Sequence, residues 1–303
     1  MKQFSLDKYN TVEVSSSQIL KEKIQDLALL LKLRLSFLVV ISAVLTYLFA
    51  AESFSWIKFM ALVVGGFLVT GASNGLNQWL EKDLDRLMER TKNRPIAAER
   101  MSKKEGFWIS VFIGVLGLAT LFFFLNPLSG ILGTLALFTY VAIYTPLKRI
   151  TPFAVFVGAF PGAIPPMLGY VAETGSFGLI PGLFFAVQFI WQFPHFWAIA
   201  WKIDDDYAKA GFSLLPSKGR KDKTSGFLIF VYALFLIPVS LTPYWFNITG
   251  TISAIAALVL GLWFAWYALK LYLKLEDKAA SRLMFASFFY LPIMQLIYLL
   301  NKI

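Results

Sequence analysis

Nine stretches of mostly apolar residues, each about twenty long and separated by short polar or charged segments, set the pattern of the chain. A helix needs about 20 such residues to cross the hydrocarbon core of a bilayer. The pattern therefore predicts spanning helices near 26–50, 57–80, 107–125, 129–146, 152–172, 179–201, 226–246, 250–272 and 283–301. The fold class expected is all-α: a polytopic membrane protein with a polar tail over 1–25 and one transmembrane domain over 26–303. Under this count the connections at 51–56, 126–128, 173–178 and 247–249 hold no lysine or arginine, and the opposite face holds nearly all of them. By the positive-inside rule the N-terminus and the basic loops are cytoplasmic and the C-terminus lies across the membrane. Two long cytoplasmic loops, 81–106 and 202–225, end in similar strings, KKEGFWISVF and DKTSGFLIFV, which suggests two four-helix halves plus a ninth helix.

Composition sharpens this reading. The 303 residues are 58% hydrophobic and only 15% charged, with a mean hydropathy of +0.66, whereas soluble domains are about 25% charged. A soluble globule is excluded. With no cysteine, a disulfide framework, a thiolate metal site and a cysteine nucleophile are excluded as well. A single histidine leaves no multi-histidine metal centre. The net charge of +10 follows the topology, so it argues for anionic headgroups or substrates on one face and not for nucleic acid. The tail mixes both signs and has neither a signal-peptide core nor an Arg-rich transit pattern, which favours a bacterial inner (cytoplasmic) membrane.

The chemistry is concentrated in the two long loops. In ASNGLNQWLEKDLDRLMERTKNRPI, residues 72–96, no glycine or proline separates Leu76 from Arg94, and Asn77, Glu81, Asp85 and Glu89 fall four apart. That spacing predicts one acidic helical face. Two carboxylates about 5 Å apart at an effective dielectric near 20 repel by roughly 3 kcal/mol, so a cation is expected among them. Magnesium suits a pair of carboxylates and a substrate phosphate; a solvated helix end neutralised by Lys82, Arg86 and Arg90 is the competing account. In WQFPHFWAIAWKIDDDYAKAG, residues 191–211, His195, Lys202 and Asp206 are seven and eleven apart and would share a face. An interfacial histidine and a solvated run of Asp204, Asp205 and Asp206 would produce the same string. Arg90 and Arg94 would share a helical face, and Tyr144 and Lys148 stand four apart in YTPLKR, so together they can clamp a diphosphate. Most of the aromatics read as lipid-facing bulk, and a subset lining a cavity could stabilise a carbocation.

Asn77, Glu81 and Asp85, followed by a second acidic segment after the sixth span, resemble the UbiA-type intramembrane prenyltransferases, with Glu81 in place of the middle Asp of their Asn-x-x-x-Asp-x-x-x-Asp motif. The strings DLDRLMERTKNRPI, YTPLKR, GAFPGAIPPMLGY and WQFPHFWAIAW with DDDYAKAG are similar to the heme-farnesylating branch of that family. His195 and Lys202 stand where quinone-type members carry acids. The resemblance implies transfer of farnesyl from farnesyl diphosphate to a vinyl group of heme B, giving heme O. It implies Mg2+ on Asn77, Glu81, Asp85, Asp205 and Asp206, and diphosphate on Arg90, Arg94, Tyr144, Lys148 and Arg149. His195 and Lys202 would act with Asn77, Glu81 and Asp85 in catalysis by placing heme or water. Partners implied are the two substrates, the bilayer and a downstream heme-modifying enzyme or oxidase assembly factor. The alternatives are a prenyltransferase with a quinone-type aromatic acceptor and a membrane transporter. The near absence of charge at the midplane weighs against the transporter.

Overall fold

The computed structural model describes residues 16–303, all of whose extended elements are helical. In order they are α1 (Ser16–Leu31), α2 (Leu33–Ala50), α3 (Trp56–Leu80), α4 (Lys82–Asp85), α5 (Lys103–Phe124), α6 (Pro127–Phe138), α7 (Thr145–Leu147), α8 (Ala154–Thr174), α9 (Leu179–Lys202), α10 (Asp204–Lys209), α11 (Lys223–Trp245), α12 (Thr251–Lys274) and α13 (Asp277–Leu300). A π-helical turn over Thr139–Tyr144 joins α6 to α7. Pro146 has no N–H to donate to an earlier carbonyl, and the wider turn ahead of it absorbs the mismatch. Nine of the described helical segments are long and apolar enough to cross a membrane: α2, α3, α5, α6 continued through α7, α8, α9, α11, α12 and α13.

The expected first span, 26–50, is corrected. The chain breaks at Lys32, which takes a left-handed conformation (φ 46°, ψ 57°), so the span starts at Leu33 and α1 is a separate helix. Residues 16–25, expected as tail, belong to α1, while 1–15 lie outside the described residues. The break is held from a distance. Gln78 Nε2 donates to Leu29 O (3.1 Å) and Leu30 O (2.8 Å), and Ser36 Oγ donates to Leu31 O (2.8 Å). These are the carbonyls that a helix end leaves without partners.

The charge-based sidedness is reproduced by contacts between connections. On the basic face Arg100 is bonded to Asp26 (2.8 Å), Lys148 to Glu81 (2.6 Å) and Lys221 to Asp277 (3.1 Å). On the other face Lys58 pairs with Glu173 (3.2 Å), Asn126 Nδ2 donates to Val171 O (2.9 Å), and Gly250 N donates to Asn301 O (2.8 Å). The strings that rhyme at 103–112 and 222–231 begin equivalent helices, each capped by a side chain: Ser102 accepts from Glu105 N, and Asp222 accepts from Ser225 N.

Close packing positions the interior helices. A Cβ on Gly169 of α8 would lie 1.9 Å from the Ala43 carbonyl oxygen of α2. The obstacle is backbone, which cannot move aside cheaply. Gly169→Ala is therefore expected to destabilise the bundle by about 1–3 kcal/mol or more. A lowered unfolding midpoint in detergent checks this, with Gly182→Ala, where a Cβ meets nothing within 4 Å, as the comparison.

Candidate active site

The end of α3 turns polar while still buried. Asn77 and Glu81 are 2% and 4% exposed, and Asp85 is fully enclosed. The expected acidic face is present for these three, since Glu81 N bonds Asn77 O (3.0 Å) and Asp85 N bonds Glu81 O (2.8 Å). It does not extend to Glu89. Helical structure ends at Asp85 and residues 86–101 run as turns, so Glu89 is exposed and pairs with Lys92. For the same reason Arg90 and Arg94 do not share a helical face.

Each buried acid has a cation. Lys148 Nζ lies 2.6 Å from Glu81 Oε1, and Asn77 Nδ2 donates to Glu81 Oε2 (2.9 Å) and to Thr145 Oγ1 (3.2 Å). Arg94 Nη1 reaches both Asp85 oxygens at 2.8 Å. The Lys148 ammonium also lies over the rings of Tyr144 (5.1 Å) and Phe212 (5.3 Å). Burial lowers the Lys148 pKa although Glu81 opposes it, and burial raises that of Asp85 against the pull of Arg94. Lys32, which no motif in the sequence singles out, also belongs here. Burial and then the Arg94, Lys148 and Arg90 charges push its pKa well down. Lys32, Arg90, Arg94 and Lys148 thus place four basic side chains around two carboxylates, a lining that suits a polyanion. Arg149 is exposed and makes no ion pair among the described residues.

The second acidic segment is placed differently. Helix α9 ends at Lys202, and Ile203 (φ −112°, ψ 22°) turns the chain, so Asp206 does not share the face of His195. Asp206 instead accepts from the backbone N–H of Glu89 (2.8 Å) and Arg90 (3.2 Å) and from Lys209 Nζ (3.3 Å). It clasps the two long loops together across the site. Asp205 is exposed, and among the described residues no three acids or histidines converge as a metal-binding group. The two halves of the expected five-residue magnesium set are therefore not brought together. The first half still fits a hard cation: two buried carboxylates and the Asn77 amide oxygen supply oxygen donors of the kind magnesium takes.

Desolvation raises the Asp206 pKa, but the Glu89 and Arg90 amides and Lys209 outweigh it and leave the value lowered. A depressed carboxylate stabilises above its unfolded value of about 3.9 and loses this only as pH falls through the lower folded value. Between about pH 5 and 8 the clasp should therefore hold. Hydrogen exchange across 86–100, corrected for intrinsic rates, is expected to be constant over that range and to rise in Asp206→Ala.

His195 is buried against α13. Its Nδ1 is 2.6 Å from Ser287 Oγ, its ring stacks on Trp191 (4.4 Å), and it meets Phe288 edge-on (5.1 Å). The Ser287 hydroxyl donates to Met284 O (2.6 Å), an arrangement that pairs best with the tautomer protonated at Nδ1, which leaves Nε2 its lone pair. Lys202 also faces α13, with its ammonium 6.0 Å from the Phe285 ring, but it is exposed.

Comparison with known proteins agrees with this architecture. The UbiA prenyltransferase family pattern matches residues 38–291. A protoheme IX farnesyltransferase of Christiangramia forsetii is 47% identical over 276 residues, covering 89% of this chain and 91% of that protein. One from Flavobacterium psychrophilum is 44% identical over 291 residues, covering 93% and 96%. Among solved structures, a digeranylgeranylglyceryl phosphate synthase superposes with a TM-score of 0.77 at 17% identity, covering 92% of this chain and 98% of that one. A UbiA homologue of Archaeoglobus fulgidus bound to GPP and Mg2+ superposes at 0.67 and 14% identity, covering 89% and 99%. The chain belongs to the UbiA prenyltransferase family.

Proposed function

We propose that this chain transfers farnesyl from farnesyl diphosphate to a vinyl group of heme B, with water adding as hydroxyl to the neighbouring carbon and diphosphate and a proton released, forming heme O; its relatives of 47% and 44% identity are named protoheme IX farnesyltransferases. The observation that carries the reading is the buried Asn77–Glu81–Asp85 set facing four basic side chains at one end of the bundle. Bound Mg2+ would neutralise diphosphate charge as the allylic C–O bond breaks. Glu81, Asp85 and the Asn77 amide oxygen would hold it, with Asp206 acting on the site through the loop it clasps. Arg90 and Lys32 have no ion-pair partner among the described residues, so they are ready to meet phosphate oxygens. Arg94 and Lys148 would trade carboxylate for phosphate contacts, and the Tyr144 ring lies beside Lys148 at the allylic end. Arg149 and Asp205 would serve at the rim.

In the same reading His195 serves the acceptor, through the free Nε2, and Lys202 binds a carboxylate of heme at the exposed end of α9. His195→Ala is expected to keep farnesyl diphosphate affinity and to lose the heme-induced Soret shift. A variant that makes heme O at the normal rate returns the histidine to a packing role. Residues 26–303 would act as one transmembrane domain, with 1–25 and the basic face cytoplasmic in a bacterial inner membrane, and a heme-modifying enzyme or oxidase assembly factor would take the product. A membrane-impermeant thiol reagent added outside intact cells should leave both Lys104→Cys and Lys218→Cys unlabelled. Labelling of either would reject the orientation.

A further inference from the structure

A second concentration of positive charge lies outside the candidate site, where α12 ends and α13 begins. A cavity of about 150 Å3 is lined there by Tyr267, Lys270, Lys274, Glu276, Lys278 and Arg282. None of its four cations is ion-paired among the described residues, although Lys221 and Asp277 pair beside it. Two of them stand against the local field. Lys278 and Arg282 occupy the first turns of the 24-residue α13, whose N-terminus carries about half a positive charge of its own. Glu276 caps that helix without a side-chain hydrogen bond, and the amides of Asp277 and Lys278 donate to no acceptor among the described residues. Four unpaired cations and free helix-start amides, both of which favour an anion, coincide at this cavity and outweigh the single Glu276 carboxylate there.

The surroundings favour a lipid as its source. The Lys270 ammonium rests on the Trp266 ring (4.9 Å) and the Tyr267 ring (5.7 Å), holding it at the bilayer boundary. Below it, at helical spacing on α12, Trp266, Leu262 and Val259 are 53%, 59% and 60% exposed. They form an apolar track leading from the cavity towards the hydrocarbon. We propose that this cavity binds the phosphate of an anionic phospholipid, with an acyl chain lying along Val259, Leu262 and Trp266. The site shares no residue with the candidate active site and does not depend on the proposed reaction.

The test uses the full-length protein in phosphatidylcholine nanodiscs containing phosphatidylglycerol, with retained lipid counted by native mass spectrometry. One lysine or arginine near an anionic headgroup changes binding by about fivefold. Lys274→Gln is therefore expected to lower phosphatidylglycerol retention about fivefold, and Lys274→Gln/Lys278→Gln/Arg282→Gln at least about twentyfold. The control Lys23→Gln/Lys104→Gln/Lys218→Gln, which removes equal charge elsewhere on the same face, should retain the lipid as the parent does. Unfolding temperatures in pure phosphatidylcholine should match, and the single variant decides if the triple one does not fold. Unchanged retention in Lys274→Gln, an equal loss in the control, or displacement by inorganic phosphate at the lipid's own concentration would overturn the proposal. The last would identify a soluble anion as the ligand.

Discussion

Asp85→Asn is expected to lower the rate of prenyl transfer at least about a hundredfold while the protein still inserts and folds. A metal at a departing diphosphate supplies several kcal/mol of transition-state stabilisation, and about 2.7 kcal/mol corresponds to a hundredfold in rate. Asparagine keeps the size of the side chain and an oxygen for Arg94, which now reaches both carboxylate oxygens at 2.8 Å. It removes the charge a cation needs. Steady-state turnover and the unfolding midpoint, measured together, separate chemistry from stability. Full activity in Asp85→Asn would remove this carboxylate from the metal set. Arg90→Ala, by contrast, should act mainly on the KM for farnesyl diphosphate, because the Arg90 side chain holds no structural ion pair.

Lys148→Met should be the most destabilising single change at the site, by about 3–5 kcal/mol, because it strands a buried carboxylate. Glu81 is 4% exposed and Lys148 8%, so water cannot replace the lost partner. Glu81→Gln/Lys148→Met removes both charges and should recover most of that stability, since a buried pair is often no better than apolar neighbours of similar size. Activity should stay lost in both. The double-mutant cycle reads this coupling from unfolding free energies; a double variant no more stable than Lys148→Met would show that the pair does not act as a unit.

The parts of the fold that were legible in the sequence are those set by local composition. The apolar runs gave the spans, and the absence of lysine and arginine from alternate connections gave the two faces, which Lys58–Glu173 on one side and Lys148–Glu81 on the other bear out. Asn77, Glu81 and Asp85 were legible because four-residue spacing on a helix survives burial. The parts that were missed depend on partners far along the chain. Nothing in the leucine-rich string around Lys32 marks a break; its carbonyls are satisfied by Gln78, 46 positions on from Lys32 in the numbering. The helix expected to run on to Glu89 stops at Asp85 with no glycine or proline. The loop that replaces it is fixed by Asp206 on its backbone amides, by Arg94 on Asp85 and by Arg100 on Asp26. The resemblance implies Asp206 as a metal ligand; that its carboxylate accepts from the Glu89 and Arg90 amides depends on a loop fold that no local pattern displays.

These placements change the expected division of labour. One half of the protein presents the buried carboxylates, and Asp206 of the other half accepts from the backbone amides of the loop that follows them. His195 and Lys202 stand apart from both, against α13.

The central claim, farnesyl transfer to heme B, is tested most directly by mass spectrometry of the hemes formed when the purified protein is supplied with heme B, farnesyl diphosphate and Mg2+. The account predicts a product heavier than heme B by one farnesyl group plus one hydroxyl, formed only with all three present. Unchanged heme B alongside prenylation of a quinone-type aromatic acid offered in parallel would contradict it.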